Sequence, residues 1–332
     1  MGRRLHLHAG DAGRRLAGFR RGAKRGPLSR SEPSCSGCRT ITEARHIFGR
    51  QALLTPNRPS GLLRAIRPIH KEPGMGWRKL KGMDALAAHV PDLREGRGPL
   101  IGLLALVSFG LATGLLLIVD RLWPAWAGVG QVAMVLAGFL WTAQFFWRRE
   151  EYRSKWGDLA YRNAFGRHAL IGLPMIFAAI IHNAYVPGQR ILSGGAALIA
   201  GLVALYLLVS GLVLWLRALF AFGFDNLAML YVYFPEEGRV VESSIYSVIR
   251  HPVYAGVVRA GMALGLWRGT RFSIIFGLFV PIGLTLWLRL VEEPELIERF
   301  GEGYAAYRKA VPAFWPRPRT LGKFFRFLLR GG

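Results

Sequence analysis

The sequence predicts an all-α, polytopic membrane protein with about six transmembrane helices and a C-terminal helical hairpin. Apolar runs close to the length of a bilayer span, about 20 residues, recur from residue 99 onward, whereas residues 1–98 contain no such run. A hydrophobic content of 52% would fit several classes of protein, so the distribution of the apolar residues decides the class. Lys and Arg also concentrate in one of the short loops between the runs, as the positive-inside rule requires.

Residues 1–98 are predicted to form a basic, mostly unfolded tail on the cytoplasmic side. They hold 21 Lys and Arg against 7 Asp and Glu, which gives them 14 of the 24 excess positive charges of the 332-residue chain. Residues 1–74 are rich in Arg, Gly, Ser and Pro and lack helical periodicity, so we expect no core there. A basic excess could indicate nucleic acid, but the apolar runs favour a bilayer partner and no nucleic acid.

The two cysteines of the chain, Cys35 and Cys38, lie in this tail. A zinc site normally needs four ligands, and the nearby histidines give no second ligand pair at a helical spacing. We therefore expect no metal site. Cysteine chemistry is excluded from the membrane region, which contains no cysteine.

The predicted spans follow in order along the rest of the chain. Four transmembrane helices occupy residues 99–216, at about 99–119, 127–147, 169–186 and 194–216. A mixed segment, residues 217–250, carries Asp225 and Asn226 in its apolar half. Two further helices, at about 252–267 and 272–290, are separated by only four residues, so they must form a tight antiparallel hairpin.

The loop charges predict an orientation for these spans. Residues 148–168 hold six Lys and Arg, whereas residues 120–126 and 187–192 hold one each. The first loop should therefore be cytoplasmic. With six spans, both termini and residues 217–250 fall on that same side, together with a basic C-terminal tail, residues 319–332.

Charged residues mark both helices of the hairpin at this predicted cytoplasmic side. Pro252 suits the first turn of a helix, so Arg250 and His251 precede a helix N-terminus, where free N–H groups favour an anionic ligand. Arg289 and Glu293 lie four residues apart, so we expect them to share a helix face and to hold each other in place. A capping role for His251 and snorkelling of the charged pair to the headgroups are the alternatives.

Two further features are less specific. Tyr304 and Tyr307 follow on the same predicted side, where aromatic residues also form interfacial belts. Arg259 lies inside a predicted span, and we expect it to pair with an acid such as Asp225; contact with substrate or with a lipid headgroup is the alternative.

The order of three sequence strings resembles one family of enzymes. The strings are Arg-His-Pro-Val-Tyr-Ala-Gly at 250–256, Arg-Leu-Val-Glu-Glu at 289–293 and Phe-Gly-Glu-Gly-Tyr-Ala-Ala-Tyr at 300–307, closed by Val311 and Pro312. Together they resemble the isoprenylcysteine carboxyl methyltransferase and phospholipid methyltransferase superfamily, over about residues 237–318. Upstream of residue 217 the spans look generic.

The resemblance implies a methyltransferase-like catalytic region at residues 217–318. S-adenosylmethionine would bind in a cytoplasm-facing pocket formed by the last two helices and the tail after them, and a lipophilic acceptor would enter from the bilayer. The implied cofactor-binding residues are Arg250, His251, Tyr254, Gly256, Glu292, Tyr304 and Tyr307. Arg289 and Glu293 match the arginine and glutamate that the family needs near the methyl acceptor.

The predicted function is therefore S-adenosylmethionine-dependent methyl transfer at the membrane. An arginine such as Arg289 could position a carboxylate acceptor, whereas a neutral amine or thiol would need a base, for which Glu293 is the candidate. Two alternatives stay open: an NADPH-dependent sterol-type reductase, which would carry Asn-Tyr where this chain has Val253 and Tyr254 after Pro252, and a non-catalytic membrane protein of the same fold.

Overall fold

The computed structural model describes residues 80–237 and 244–331, and this part of the chain is helical. The N-terminal tail up to residue 79, with Cys35 and Cys38, lies outside the described residues. The long helices are α1 (Gly98–Leu122), α2 (Ala127–Trp147), α3 (Leu170–His182), α4 (Gly194–Phe222), α5 (Pro252–Arg268), α6 (Arg271–Trp287), α7 (Glu293–Ala310) and α8 (Leu321–Arg330).

Shorter elements connect these helices. They comprise the α-helices Met83–His89, Pro91–Arg94, Arg149–Trp156, Ala160–Ala164 and Phe224–Leu227, and the π-helical turns Phe165–Ala169 and Leu288–Glu292. Short 3-10 turns lie at Pro124–Trp126, Gly157–Leu159, Leu230–Val232, Pro235–Glu237, Ser244–Ser247 and Pro318–Thr320. Within the described residues, the isolated β-bridge between Arg190 and Thr270 is the only pairing of extended backbone.

The prediction of an all-α integral membrane protein is confirmed. Five helical stretches are long and apolar enough to cross a bilayer, and they run over Gly98–Leu122, Pro124–Trp147, Arg149–His182, Gly194–Phe222 and Arg271–Ala310. Their outer faces expose large apolar side chains, as lipid-facing helices do. The fifth predicted span, α5, has 17 residues and carries a buried arginine, and it does not count among these five.

Helix α5 lies between α4 and α6 and contacts both through glycines. A Cβ atom on Gly256 would lie 2.7 Å from the Cβ of Trp215 and 2.8 Å from the carbonyl oxygen of Gly211, both on α4. On another face of α5, a Cβ on Gly265 would lie 2.4 Å from the carbonyl oxygen of Ser273 on α6. Small residues let membrane helices approach closely, so these glycines fix α5 between its neighbours.

The hairpin between α5 and α6 is confirmed, and its turn is closed by local hydrogen bonds. Gly269 ends α5 with φ 69°, a left-handed conformation that glycine adopts at little cost. Thr270 and Ser273 then form a capping box at the start of α6, with both N–H to hydroxyl distances at 3.0 Å. The charged ends of both helices therefore lie together at the opposite end of the hairpin.

Two interruptions carry the chain from the end of α6 across the charged end of the hairpin. The π-helical turn Leu288–Glu292 joins α6 to α7, and such turns are frequent at functional sites. Within α7, Gly301 departs from helical geometry at φ 60° and ψ −143°. This kink redirects the second half of α7, so that Tyr304 meets His251 at the start of α5.

Candidate active site

The candidate site begins with the two residues before α5, which are held by the segment that follows α7. The N–H group of Arg250 donates to the carbonyl of Pro312 at 2.9 Å, and that of His251 donates to Ala313 at 3.1 Å. His251 is the N-cap residue of α5, and Pro252 occupies the first turn. The start of α5 and the segment after α7 thus form one wall of the site.

A buried ion cluster centred on Glu293 holds this wall to α7. The Glu293 carboxylate accepts from Arg250 Nε at 2.8 Å and lies 3.5 Å from Arg308 Nη1 and 3.4 Å from His251 Nε2. Glu293 is only 1% exposed and directly follows the π-helical turn at the start of α7. Because three cationic or ionisable groups surround this carboxylate, it is well placed to fix the geometry of the site.

His251 links the cluster to the remaining site residues. Its Nδ1 atom lies 3.5 Å from the carboxylate of Glu292, and its Nε2 atom lies 3.4 Å from the hydroxyl of Tyr304. Burial by itself lowers the pKa of His251, but the carboxylates of Glu292 and Glu293 outweigh burial and raise this pKa above its ordinary value. Protonated His251 is therefore favoured beside two carboxylates.

Glu292 lies among tyrosines at the centre of the site. Burial, followed by the negative charge of Glu292, raises the pKa of Tyr231 well above its ordinary value, and burial together with Tyr307 and Glu292 raises that of Tyr246. Tyr254 is also close to the centre, since its ring lies 5.9 Å from that of His251 and its hydroxyl accepts from Trp287 at 3.3 Å. Glu292 is therefore a buried carboxylate whose charge acts on Tyr231, Tyr246 and Tyr254, and the Arg299 guanidinium lies 5.2 Å from the ring centre of Tyr231.

This environment suits a ligand that carries positive charge. A carboxylate attracts a cation directly, and aromatic faces attract it through their quadrupoles. Glu293 is neutralised by Arg250 and Arg308, whereas the ion pairs of the described residues leave Glu292 with His251 alone. Glu292 therefore has more acceptor capacity left for a ligand than its neighbour.

The structure brings together most of the residues that the sequence predicted for the cofactor. Arg250, His251, Tyr254, Glu292 and Tyr304 meet at the charged end of the hairpin. The sixth, Tyr307, anchors the second half of α7 by donating to the carbonyl of Tyr246 at 2.7 Å. The seventh, Gly256, contacts Gly211 and Trp215 of α4, and this close approach explains why a glycine stands there.

The predicted pairing of Arg289 with Glu293 is wrong. Glu293 is buried and bound to Arg250, whereas Arg289 is exposed on the π-helical turn. Within the described part of the chain, Arg289 makes no hydrogen bond or ion pair. Arg250, which lies just before α5, supplies the cation instead.

The predicted partner of Arg259 is also wrong. Arg259 is only 2% exposed, and its Nη1 atom donates to the carbonyls of Ala255 at 2.8 Å and Phe314 at 3.2 Å. Its guanidinium lies 4.4 Å from the ring centre of Trp315 and 5.1 Å from that of Phe324. Carbonyl groups and aromatic rings thus satisfy this cation where the sequence suggested an acid.

Sequence reasoning missed three residues of the site. Tyr231, Tyr246 and Arg308 stand outside the three strings, and no spacing connects the first two to the hairpin. For Arg308 the sequence did offer a signal. Val311 and Pro312 follow it closely, and their carbonyls bind Arg250.

Comparison with known protein families gives one match. Residues 199–303 match the model of the phospholipid methyltransferase family. The match covers α5, α6, most of α4 and the first half of α7, so it extends into α4, which had looked generic in the sequence. No curated protein and no solved structure matches the chain. The predicted resemblance to the isoprenylcysteine and phospholipid methyltransferase superfamily is confirmed over residues 199–303, within a chain that carries five helices able to cross a membrane.

Proposed function

We propose that this protein transfers a methyl group from S-adenosylmethionine to a lipophilic acceptor at the membrane surface. The family match supports methyl transfer in general. The observation that supports the cofactor is the buried Glu292 carboxylate among tyrosines, beside the N-terminus of α5.

The charges of the cofactor correspond to the groups of the site. Its sulfonium and ammonium groups are cationic and suit Glu292 with the rings of Tyr231, Tyr254 and Tyr304. Its carboxylate suits the free N–H groups in the first turn of α5, after His251. These residues are the proposed cofactor-binding set. Arg250 supports the set through Glu293, and Tyr307 supports it through the carbonyl of Tyr246.

The residues of the chain would promote the reaction mainly by alignment and by excluding water. When bound, S-adenosylmethionine supplies a methyl group on a sulfonium, which a nucleophile displaces in line. Glu293 holds Arg250, His251 and Arg308 in one arrangement, so we assign it a positioning role. His251 and Tyr304 are buried and leave little room for bulk water beside Glu292.

Arg289 is proposed to contact the acceptor. It is exposed where α6 gives way to the π-helical turn, and Leu286 and Leu290 beside it are 52% and 64% exposed. A cation next to lipid-facing leucines suits an amphiphile with an anionic group, such as a phosphate or a carboxylate. The surroundings of Arg289 therefore favour an acceptor that carries an anionic group.

The orientation proposed for the chain has both termini in the cytoplasm. The six Lys and Arg of residues 148–168 support it. It requires α5 to cross the bilayer in addition to the five longer stretches. Its 17 residues allow this at the short limit of about 17–25 residues. The candidate site then faces the cytoplasm, where S-adenosylmethionine is made.

A labelling experiment tests the function. Purified protein in lipid nanodiscs would be incubated with S-adenosylmethionine carrying a radioactive methyl group and with extracts of membrane lipids. We expect label in a product that partitions into organic solvent. A prenylated peptide and a small thiol would be offered in parallel incubations. The absence of a labelled product from all of these acceptors would refute methyl transfer.

Arg289→Ala tests the assignment of the acceptor contact. We expect turnover to fall by about tenfold or more, which corresponds to the loss of about 1.4 kcal/mol of transition-state binding. Arg271→Ala is the matched control, because Arg271 is an exposed arginine at the opposite end of α6. Equal turnover in the two variants would remove Arg289 from the mechanism.

A further inference from the structure

The C-terminal helix α8 carries three different stripes along its ten residues. At 100° per residue, Phe324, Phe327 and Leu328 fall on one side of the helix, and Leu321, Phe325 and Leu329 fall on the adjacent side. Lys323, Arg326 and Arg330 occupy the third side. The apolar surface is thus about twice as wide as a single stripe.

Only one of the two apolar stripes is covered by the protein. Phe324 and Phe327 are 2% and 3% exposed, whereas Leu321 and Phe325 are each 41% exposed and Leu329 is 79% exposed. The basic side chains Lys323, Arg326 and Arg330 are exposed as well. The second apolar stripe therefore lies uncovered directly beside a row of positive charge.

The position of α8 along α4 places this uncovered stripe at the level of the membrane surface. Arg217 of α4 donates to the carbonyl of Phe327 at 2.9 Å and to that of Leu329 at 3.1 Å. Arg217 lies five residues before the end of α4 at Phe222, which is about 7.5 Å along a helix axis. On the same part of α4, Phe220 is 58% exposed. The C-terminal end of α8 is thus tied to the side of a span, inside its last turns.

Charge identifies the partner. Residues 303–332 contain seven Lys and Arg and no Asp or Glu. Near a membrane surface each such cation is attracted to anionic headgroups, and an amphipathic basic helix inserts its apolar face about 5–10 Å into the headgroup and acyl boundary. Arg217 directly follows the predicted span 194–216, so its contacts hold the end of α8 at this boundary.

We propose that α8 is an interfacial helix that binds the anionic phospholipid of the bilayer in which the protein sits. Leu321, Phe325 and Leu329 enter the boundary of the acyl chains, and Lys323, Arg326 and Arg330 contact anionic headgroups. This surface is separate from the cofactor-binding set.

The lipid contact is connected to the candidate site through Arg259. Phe324 of α8 and Trp315 enclose the Arg259 guanidinium, which also binds the carbonyl of Phe314. The carbonyl of the preceding residue, Ala313, accepts from the N–H of His251. Anchoring α8 therefore steadies the segment that holds His251, and we expect anionic lipid to raise turnover. This last consequence rests on the proposed function, whereas the lipid contact does not.

The first test measures the depth of α8 and needs no activity. A spin label would be placed on Leu329→Cys, with Cys35 and Cys38 changed to Ser, in the full chain in nanodiscs of phosphatidylcholine with or without about one third phosphatidylglycerol. The depth of the label is measured by comparing its accessibility to oxygen with its accessibility to a water-soluble nickel complex. With anionic lipid, we expect the label about 5–10 Å below the phosphates. A label exposed to water in both lipids, or covered by a second copy of the protein, would overturn the proposal.

Charge reversal tests the role of the basic stripe. Lys323→Glu with Arg326→Glu should shift the label toward water and raise the fraction of anionic lipid needed for insertion severalfold. Arg121→Glu with Arg271→Glu changes the net charge equally at two exposed sites at the opposite ends of the spans and should leave the label in place. Equal effects of the two pairs would show that net charge, and not α8, governs the result, and would overturn the proposal.

Turnover in the same nanodiscs separates the two proposals. A label that inserts normally in a protein without methyl transfer would refute the proposed function and leave the lipid contact standing. Turnover that does not respond to anionic lipid, in a protein whose label inserts, would refute the connection through Arg259.

Discussion

The two ends of the α5–α6 hairpin use polar residues in opposite ways. At the turn, Thr270 and Ser273 cap α6, and Arg190 donates to the carbonyls of Trp267 and Arg268. These polar side chains satisfy backbone groups that a helix end leaves without partners. At the other end, the side chains of Glu292 and Glu293 pair with His251. These side-chain groups contact one another and do not cap a helix end.

The difference separates stability from function within one pair of helices. A polar residue that caps a helix adds local stability and presents little to a ligand. Buried ionisable groups that face each other cost desolvation energy, and they mark a candidate site because their charges shift one another's pKa values. We therefore expect substitutions at the charged end to affect activity, and those at the turn to affect stability alone.

The largest effect is expected from Glu293→Gln. The change removes the central charge of a buried cluster and leaves the Arg250 guanidinium without its carboxylate partner, which costs about 3 kcal/mol or more in comparable buried pairs. The melting temperature in detergent or nanodiscs should fall, and methyl transfer should be lost. Glu302→Gln, at an exposed acid on the same helix, is the control and should leave both unchanged. Equal stability of the two variants would contradict the structural role of the cluster.

Gly301→Ala should have the next largest effect. At φ 60° and ψ −143° only glycine is comfortable, so alanine should cost about 1–3 kcal/mol, although no neighbouring atom lies near the added methyl group. Gly303→Ala, at a helical glycine two residues later, should be neutral or slightly stabilising. Melting curves and turnover of both variants would decide, and a stable, active Gly301→Ala protein would show that the kink is not required.

Thr270→Ala should have a smaller effect and should spare the chemistry. Removing the hydroxyl breaks the capping box of α6, which costs about 1 kcal/mol. The melting temperature should fall slightly, while turnover per folded molecule stays the same. A loss of turnover as large as that of Glu293→Gln would remove the distinction between the two ends of the hairpin.

The smallest effect concerns pH. Because the folded protein raises the pKa of His251 above its ordinary value of 6.5, the ion pairs of His251 stabilise the fold fully below that value. This stabilisation is lost as the pH rises through the raised pKa. The difference in melting temperature between the native protein and His251→Gln should therefore shrink above pH 6.5. A difference that grows with pH would contradict the contacts of His251 with the two carboxylates.

Much of the fold could be predicted because membrane physics acts on short stretches of sequence. The apolar runs gave the positions of α1, α2, α4 and the hairpin, and the four residues between its helices required a tight turn. The third predicted span, 169–186, overlaps the last part of a longer helical stretch, Arg149–His182, which begins in polar residues and ends four residues before the predicted end. A hydropathy pattern does not show a helix that continues beyond the bilayer.

The site was predicted as a set of residues but not as an arrangement. The strings identified His251, Glu292 and Tyr304, whose contacts the structure then showed. The predicted partner of Glu293 was wrong, because helical spacing considers only neighbours on one helix. Arg250, the actual partner, lies just before α5. For the same reason the aromatic partners of Arg259, which stand more than fifty residues away in sequence, gave no local signal.

The central claim is that the charged end of the hairpin binds S-adenosylmethionine through Glu292, and titration calorimetry tests it most directly. Purified protein in nanodiscs should bind S-adenosylmethionine with micromolar affinity and should not bind NADPH. Glu292→Gln should weaken binding by about tenfold, the effect of losing about 1.4 kcal/mol, while the melting temperature without ligand falls less than in Glu293→Gln, because Glu293 still pairs with His251. Binding of NADPH in place of S-adenosylmethionine, or equal affinity in Glu292→Gln, would contradict the account.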